Sequence, residues 1–270
     1  FTLGLIKKLV FADQLAGFVD AAYNAPVIDA PGALLALYGF TAQIYCDFSG
    51  YTDMAIGLAM LLGIRLPTNF LRPYTAASLT EFWRRWHITL SSWLRDYLYI
   101  PLGGNRRGTA RELGNIMLTM ILGGLWHGAN WTFVVWGAMH GVGITATHML
   151  RRLNFAFRLP RWLAVLLTFH FVTVAWAFFR APNVGRALDM LAAPFSGSWA
   201  GLVAFASHAS FALALLAVFL VTHKYDDLRR VKWLTRRLRH EILWPALIFC
   251  WVLAITISQG SSAKFVYFDF

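Results

Sequence analysis

Three uncharged apolar stretches constrain this chain more than any other feature of its sequence. Trp162–Phe179, Ala200–His223 and Ile242–Ser258 contain no Asp, Glu, Lys or Arg. A run of about 17–25 apolar residues has the length that a helix needs to cross the ~30 Å hydrocarbon core of a bilayer. Only 14% of the 270 residues are charged, against roughly 25% in an ordinary soluble domain. The sequence therefore predicts an all-α, polytopic integral membrane protein with at least three spans.

The net charge of +11 is concentrated in the segments between the apolar stretches. Arg65–Arg111 holds eight basic and two acidic residues, Arg151–Arg161 holds four basic residues and no acid, and Lys224–Arg239 holds seven basic and two acidic residues. The positive-inside rule places such segments on the cytoplasmic side. We do not expect nucleic-acid binding, because a basic stripe would need a soluble face. The two cysteines give neither a disulfide framework nor a metal-binding spacing, and no metal site is predicted.

The first quarter of the chain mixes apolar and charged residues. Phe1–Tyr23 carries two lysines and two aspartates, so we expect an interfacial or short helix rather than a clean span. Asn24–Gly32 contains two prolines and predicts a turn. Ala33–Gly63 is apolar at both ends and has Asp47 and Asp53 at its centre. Carboxylates at membrane depth are costly, so both should face protein or a watery cavity, as buried partners of the arginines in the next segment or as proton carriers.

The middle of the chain predicts interfacial and half-membrane helices. Residues 64–113 are amphipathic and rich in Arg, Trp and Tyr, which is typical of short helices lying in the cytoplasmic interface. Residues 115–150 are apolar but are broken at Gly123–Asn130. If both basic flanks are cytoplasmic, this stretch crosses an even number of times, and it is short for two full spans. We predict a hairpin of half-helices with His127 near its apex, where protein or a water cavity must surround the broken backbone.

The remaining stretches then alternate across the membrane and leave Gln259–Phe270 on the far side. The chain opens at Phe1 with no initiator Met and no signal-peptide pattern, so we expect further N-terminal spans to precede it. No internal repeat and no soluble domain is predicted.

Among the eight histidines, His127 and His87 are the candidates for chemistry. An imidazole is the usual group for moving a proton near neutral pH, and the glycines around His127 let a ligand or another backbone approach closely. His87 lies in an aromatic and basic stretch, either at headgroup level or in the wall of a cytoplasmic entrance. For five of the others we expect core histidines that bond a carbonyl or hydroxyl group, or contacts with headgroups; these are His148, His170, His208, His223 and His240.

Several long motifs resemble the membrane-bound O-acyltransferase family, most closely the branch of the alginate O-acetylation membrane proteins. They are Tyr45–Gly57, Glu81–Ser91, Trp93–Arg106, Gly123–Trp131, Trp136–Gly141 and the terminal Phe265–Phe270. The resemblance covers nearly the whole chain. Family members are much longer, so the resemblance implies that residues 1–270 are the C-terminal part of a single membrane domain whose N-terminal spans are absent.

The resemblance implies a multi-pass protein of the bacterial inner membrane, with helices around a central tunnel. Acetyl-CoA would bind from the cytoplasm as donor, with no permanently bound cofactor. The acetyl group would cross through the tunnel, and a periplasmic partner of the SGNH-hydrolase-like type would place it on a polysaccharide such as alginate. His127 matches the family's essential histidine and would act as general base. His87 matches the histidine of its second motif, whereas His140 could equally serve helix packing.

Three arginines are candidates for holding the donor's phosphates, because guanidinium binds phosphate bidentately. Arg84, Arg85 and Arg95 are assigned on charge and membrane side rather than on a family motif. Two readings other than an acyltransferase stay open at this point. One is a transporter or channel, and the other is a non-catalytic scaffold that recruits a periplasmic enzyme. Within the family, lipid or teichoic-acid acylation is a further alternative.

Overall fold

The structure, a computed structural model, describes residues 1–152 and 159–259, and these residues contain helices, turns and loops but no strand. The all-α prediction is confirmed. The α-helices are α1 (Thr2–Ile6), α2 (Asp13–Asn24), α3 (Ala30–Leu61), α4 (Leu79–Trp83), α5 (Ile88–Leu94), α6 (Thr109–His127), α7 (Trp131–Arg152), α8 (Arg161–Arg180), α9 (Val184–Ser196), α10 (Leu202–His208), α11 (Ser210–Thr222), α12 (Leu228–Thr235) and α13 (His240–Ser258). π-Helical turns occupy Lys7–Ala12 and Arg95–Tyr99, and 3-10 turns occupy Pro73–Thr75 and His223–Tyr225.

Two predictions lie partly outside the described residues. One is the basic segment Arg151–Arg161, of which residues 153–158 are not described. The other is the far-side segment Gln259–Phe270, of which only Gln259 is described. The described residues divide into two compact units. The first unit contains Phe1–Arg72 and the described part of Met190–Phe270, and the second contains Pro73–Asp189.

Helix α3 is the centre of the first unit and contacts α1, the π-helical turn Lys7–Ala12, α2, α10 and α11. It begins at a capped turn, since the Asp29 side chain accepts a hydrogen bond from the Gly32 backbone N–H at 3.1 Å. It ends in a Schellman motif, in which Gly63 has φ +75° and the Ile64 N–H reaches the Ala59 carbonyl at 2.9 Å. The predicted turn at Asn24–Gly32 is therefore shorter, because Ala30–Gly32 already belong to α3.

Asp47 and Asp53 are paired with lysines of the N-terminal helix and not with the arginines that we expected. Lys8 Nζ lies 2.7 Å from Asp47, and Lys7 Nζ lies 2.7 Å from Asp53. The physical reason is close backbone packing. A Cβ on Gly4 would collide with the Gly50 carbonyl, so these two glycines let the first turns lie directly against α3 and bring both lysines to its buried face.

The second unit is built around the antiparallel pair α6 and α7, with α8 and α4 packed on α7. The hairpin is longer than the predicted 115–150, since its helices have 19 and 22 residues and run from Thr109 to Arg152. At ~1.5 Å per residue each is longer than the half-membrane helix that we predicted. The predicted interfacial segment 64–113 overlaps α6, which begins at Thr109. Glu112 in this first turn is paired with His148 and Arg152 of α7, and these pairs hold the turn against that helix.

Within residues 1–152 and 159–259, α8 and α13 are each long and apolar enough to cross a membrane. They match the predicted spans Trp162–Phe179 and Ile242–Ser258. The predicted span Ala200–His223 is not one straight helix, because α10 and α11 are bent by 77° and form either a broken span or a re-entrant loop. The break lies at Ala209, between the end of α10 at His208 and the start of α11 at Ser210.

Candidate active site

His127 is the last residue of α6 and lies in a box of aromatic rings. Its side chain is almost completely buried, with the residue 8% exposed. The ring centroids of Trp126, Trp136 and Phe179 lie 5.1, 5.4 and 5.0 Å from the His127 centroid, and that of Phe133 lies at 6.3 Å. Four rings thus surround one imidazole and restrict its contact with bulk water.

Glycines bring the two helices of the hairpin close enough to build this box. A Cβ on Gly124 would collide with the Phe133 carbonyl oxygen, and a Cβ on Gly137 would collide with the Met120 carbonyl oxygen. A Cβ on Gly128 would lie 2.6 Å from the Phe133 ring. Only residues without a side chain fit at these crossings, so the glycine-rich break sets the position of His127.

Asn130 fixes the apex of the hairpin with both ends of its side-chain amide. Its oxygen accepts the Thr132 backbone N–H at 3.1 Å and so caps the start of α7. Its nitrogen donates to the Pro182 carbonyl at 3.0 Å, just beyond the end of α8. The apex is thereby tied to the segment after Phe179, whose ring is one wall of the box.

A layer of buried aromatic rings lies behind the box. Trp136 stacks on Trp176 at 5.7 Å, and the Trp176 N–H donates to the Tyr74 hydroxyl at 3.2 Å. Trp136 also contacts His140, whose centroid lies 5.0 Å away. The Trp83 N–H donates to His140 Nδ1 at 3.2 Å, and His140 is completely buried. His140 therefore belongs to the wall that supports the His127 box.

His87 lies beside a cavity of about 580 Å³ whose other lining residues are almost all apolar. They are Thr89, Leu90, Trp93, Leu94, Leu98, Leu122 and Trp126. Trp126 is shared, since it lines this cavity and also contacts His127. The structure thus brings both predicted histidines close to one indole ring.

The backbone and the environment of His87 are both unusual. His87 has φ +41°, in the left-handed region, where a side chain is strained. Burial lowers the pKa of its imidazole to about 4 from the ordinary 6.5. The ring is therefore neutral at physiological pH.

None of the three candidate arginines is among the residues that line this cavity in the described part of the chain. Arg85 is bound to Glu81 and Thr75, and it holds α4 to the turn before it. Burial acts to raise the pKa of the Glu81 carboxyl, but the Ala77 N–H and Arg85 outweigh it and lower that pKa. Arg84 is exposed, and Arg95 is exposed and paired with Asp96 at 2.7 Å. Their role toward a donor stays a prediction.

The other histidines are placed as structural residues where their contacts are described. His170 Nδ1 lies 2.8 Å from the Leu166 carbonyl, which confirms the expected bond to a backbone oxygen. His148 instead faces the carboxylate of Glu112 at 3.2 Å. The walls supplied by Trp136 and Phe179 were missed by sequence reasoning. Trp136 lies in a quoted motif, whereas nothing marks Phe179 among the aromatic residues of α8.

The family assignment follows from this site and from the sequence around it. The model of the membrane-bound O-acyltransferase family matches residues 9–183, which include both histidines and the whole hairpin. The chain belongs to this family. Membership and the apolar helices together make it a membrane protein.

Several members of the membrane-bound O-acyltransferase family are similar to this chain. A probable alginate O-acetylase AlgI from Azotobacter vinelandii is 50% identical over 200 residues, which cover 74% of this chain and 40% of the relative. A peptidoglycan O-acetyltransferase from Helicobacter pylori is 46% identical over 71% of this chain and 37% of the relative. A teichoic acid D-alanyltransferase from Bacillus subtilis is 33% identical over 55% of this chain and 41% of the relative. The chain thus spans about two fifths of the length of these relatives.

Proposed function

We propose that this chain carries the reaction centre of a membrane O-acyltransferase that acetylates an extracytoplasmic polysaccharide such as alginate. The observation that carries the proposal is the position of His127, a buried imidazole boxed by four rings at the apex of a glycine-packed hairpin. Relatives about 50% identical to the chain are named as probable alginate O-acetylases. The proposed location is the bacterial inner membrane, with acetyl-CoA as donor from the cytoplasm.

In the proposed reaction His127 acts as general base. It takes the proton of the acceptor hydroxyl while that oxygen attacks the thioester carbonyl. The tetrahedral intermediate collapses with cleavage of the C–S bond, and the departing thiolate receives the proton from the imidazolium. General-base catalysis typically contributes ~10²–10⁴ in rate, and the loss of His127 should cost at least that factor.

The cavity beside His87 is the proposed place for the apolar part of the donor. Its walls are nearly all hydrocarbon or aromatic, and Trp126, which lines it, also contacts His127. The neutral imidazole of His87 can accept or donate one hydrogen bond there without adding a charge to the cavity. The proposed phosphate contacts are Arg84 and Arg95, because both are exposed, whereas Arg85 is half-buried and bound to Glu81 and Thr75.

The proposal includes a partner outside the cytoplasm. An SGNH-hydrolase-like protein would receive the acetyl group and place it on the polysaccharide. The names of the relatives differ in acceptor, since they include an alginate acetylase, a peptidoglycan acetyltransferase and a teichoic acid D-alanyltransferase. The alginate-type acceptor is proposed because those relatives cover more of this chain at higher identity than the D-alanyltransferases do.

The test uses the full-length protein in liposomes with radiolabelled acetyl-CoA. Free CoA and acetylated acceptor are measured for the wild type, His127→Ala and His87→Ala. His170→Ala is the matched control, because that exposed imidazole is bonded within its own helix. We expect His127→Ala to abolish CoA release while His170→Ala retains it.

Two outcomes would overturn the assignment. CoA release that is equal in wild type and His127→Ala, with the protein folded and inserted, would leave a non-catalytic scaffold. Flux of label across the membrane without any thioester consumption would instead indicate a transporter.

A further inference from the structure

Two ring N–H groups in the aromatic layer behind His127 have no acceptor in the described part of the chain. The Nε1 atom of Trp136 is fully buried and has no hydrogen-bond partner there, and the same holds for Nε2 of His140. Both residues are in the core, with Trp136 2% exposed and His140 completely buried. Buried N–H groups are almost always bonded, so two neighbouring exceptions require an explanation.

The hydrogen bond from Trp83 decides which nitrogen of His140 carries the proton. Trp83 Nε1 is a donor only, and it donates to His140 Nδ1 at 3.2 Å. A neutral imidazole that accepts at Nδ1 has its proton on Nε2. His140 is therefore held as a donor whose N–H has no acceptor within the described chain.

The position of the two donors links them to the reaction centre. Trp136 and His140 are four residues apart on α7 and so lie on one face of the helix, with ring centroids 5.0 Å apart. The Trp136 ring is one wall of the His127 box, at 5.4 Å. The neighbouring Trp176, equally buried, donates to Tyr74, so an unpaired indole is not general in this layer.

We propose that Trp136 Nε1–H and His140 Nε2–H donate to the carbonyl oxygen of the acyl group that is transferred at His127. This inference rests on the proposed function. The oxygen becomes an anion when the acceptor hydroxyl adds to the carbonyl carbon, and it returns to a carbonyl when the C–S bond breaks. Donors that are fixed before the reaction stabilise that anion most, because they need no reorganisation.

The test compares two tryptophans that are buried alike. Trp136→Phe and Trp176→Phe each remove one N–H and leave a similar small void in the same layer. We expect Trp136→Phe to lower kcat by roughly 10- to 1000-fold, the range around the loss of one oxyanion donor, with KM nearly unchanged. Trp176→Phe should keep kcat but lose more thermal stability, because the Tyr74 hydroxyl loses its donor while Trp136 had no partner to lose.

His140 is tested in a Trp83→Phe background, so that its removal does not leave the Trp83 N–H without an acceptor. Trp83→Phe alone removes the donor to Nδ1, and the double variant Trp83→Phe with His140→Phe then removes the second N–H. We expect the double variant to have a lower kcat than the single variant. If Trp136→Phe does not fold, a benzothienylalanine at position 136 replaces N–H by sulfur and keeps the ring shape.

The readouts separate this inference from the proposed function. If His127→Ala abolishes turnover while Trp136→Phe and Trp176→Phe have the same kcat, the donors serve only an internal water and the inference is wrong. If His127→Ala keeps full turnover, the proposed function itself fails, and the inference fails with it.

Discussion

Alanine should have opposite effects at two glycines of α6, because only one of them lies at the close crossing with α7. Gly114 is exposed, and a Cβ there would meet nothing within 4 Å. Gly124 is buried, and a Cβ there would lie closer than 3.0 Å to the Phe133 carbonyl oxygen and 3.1 Å from the carbonyl carbon. Both changes to Ala gain about 0.5–1 kcal/mol of helix propensity. Only Gly124→Ala must also move backbone atoms.

The expected magnitude follows from the difference between the two sites. Overpacking of a well-packed contact costs ~1–3 kcal/mol, and the gain in propensity is common to both variants. Gly124→Ala should therefore be less stable than Gly114→Ala by about 1–3 kcal/mol. Because His127 ends the same helix three residues later, Gly124→Ala should also lower turnover, whereas Gly114→Ala should not.

The assay is thermal unfolding in detergent, followed by the intrinsic fluorescence of the 12 tryptophans, with CoA release measured in parallel. Each variant is compared with the wild type in the same detergent. Equal melting temperatures and equal turnover for the two variants would mean that the hairpin tolerates a methyl group at the crossing. The account of how the glycines position His127 would then be wrong.

Two further predictions concern buried charge and pH. The Lys8 ammonium lies 2.8 Å from Asp13 and 2.7 Å from Asp47, and Lys8→Met leaves both carboxylates without it. This variant should destabilise the folded protein by ~3–5 kcal/mol. In thermal unfolding, the double variant Lys8→Met with Asp13→Asn should recover part of that loss. The pKa of His87 is about 4 in the folded chain, below the ordinary 6.5. Between these two pH values the unfolded chain binds a proton at this residue and the folded chain does not. The free energy of unfolding therefore decreases as the pH drops from 6.5 to about 4. Between about pH 7 and about pH 4.5, the range set by that shift, the melting temperature of His87→Gln should fall less than that of the wild type. An equal fall in melting temperature for the two proteins would contradict the role assigned to His87.

The features that the sequence could predict are those that depend on neighbouring residues. The glycines and Asn130 around His127 mark a break in an apolar stretch, because glycine and a capping amide interrupt a helix locally. The helix is interrupted only over the last part of the predicted break, at Gly128–Asn130, since Gly123–His127 still belong to α6. The uncharged lengths of α8 and α13 were equally readable, since span length depends only on composition and the 1.5 Å rise.

The missed features depend on contacts between distant parts of the chain. Lys8 can bind Asp47 because Gly4 and Gly50 allow the two backbones to pack closely, and no local sequence pattern predicts that contact. Phe179 reaches His127 because Asn130 ties the apex to Pro182, 52 residues away along the chain. The bend at Ala209 was missed for another reason, since hydropathy alone does not register where a helix is interrupted.

Two of the motifs that carry the family resemblance differ in how their polar side chains are bonded, although Ser49 of the first motif also lacks a partner in the described chain. In Tyr45–Gly57, Tyr45 donates to Asp226 at 2.6 Å, and Asp47 and Asp53 bind Lys8 and Lys7, so these polar side chains are used inside the first unit. In Trp136–Gly141 the two ring N–H groups remain without an acceptor in the described chain. Bonded side chains such as those of the first motif stabilise the fold, whereas the two N–H donors of the second are those that we propose to serve the substrate. Substitutions in the first motif should therefore lower stability, and isosteric substitutions in the second should lower turnover.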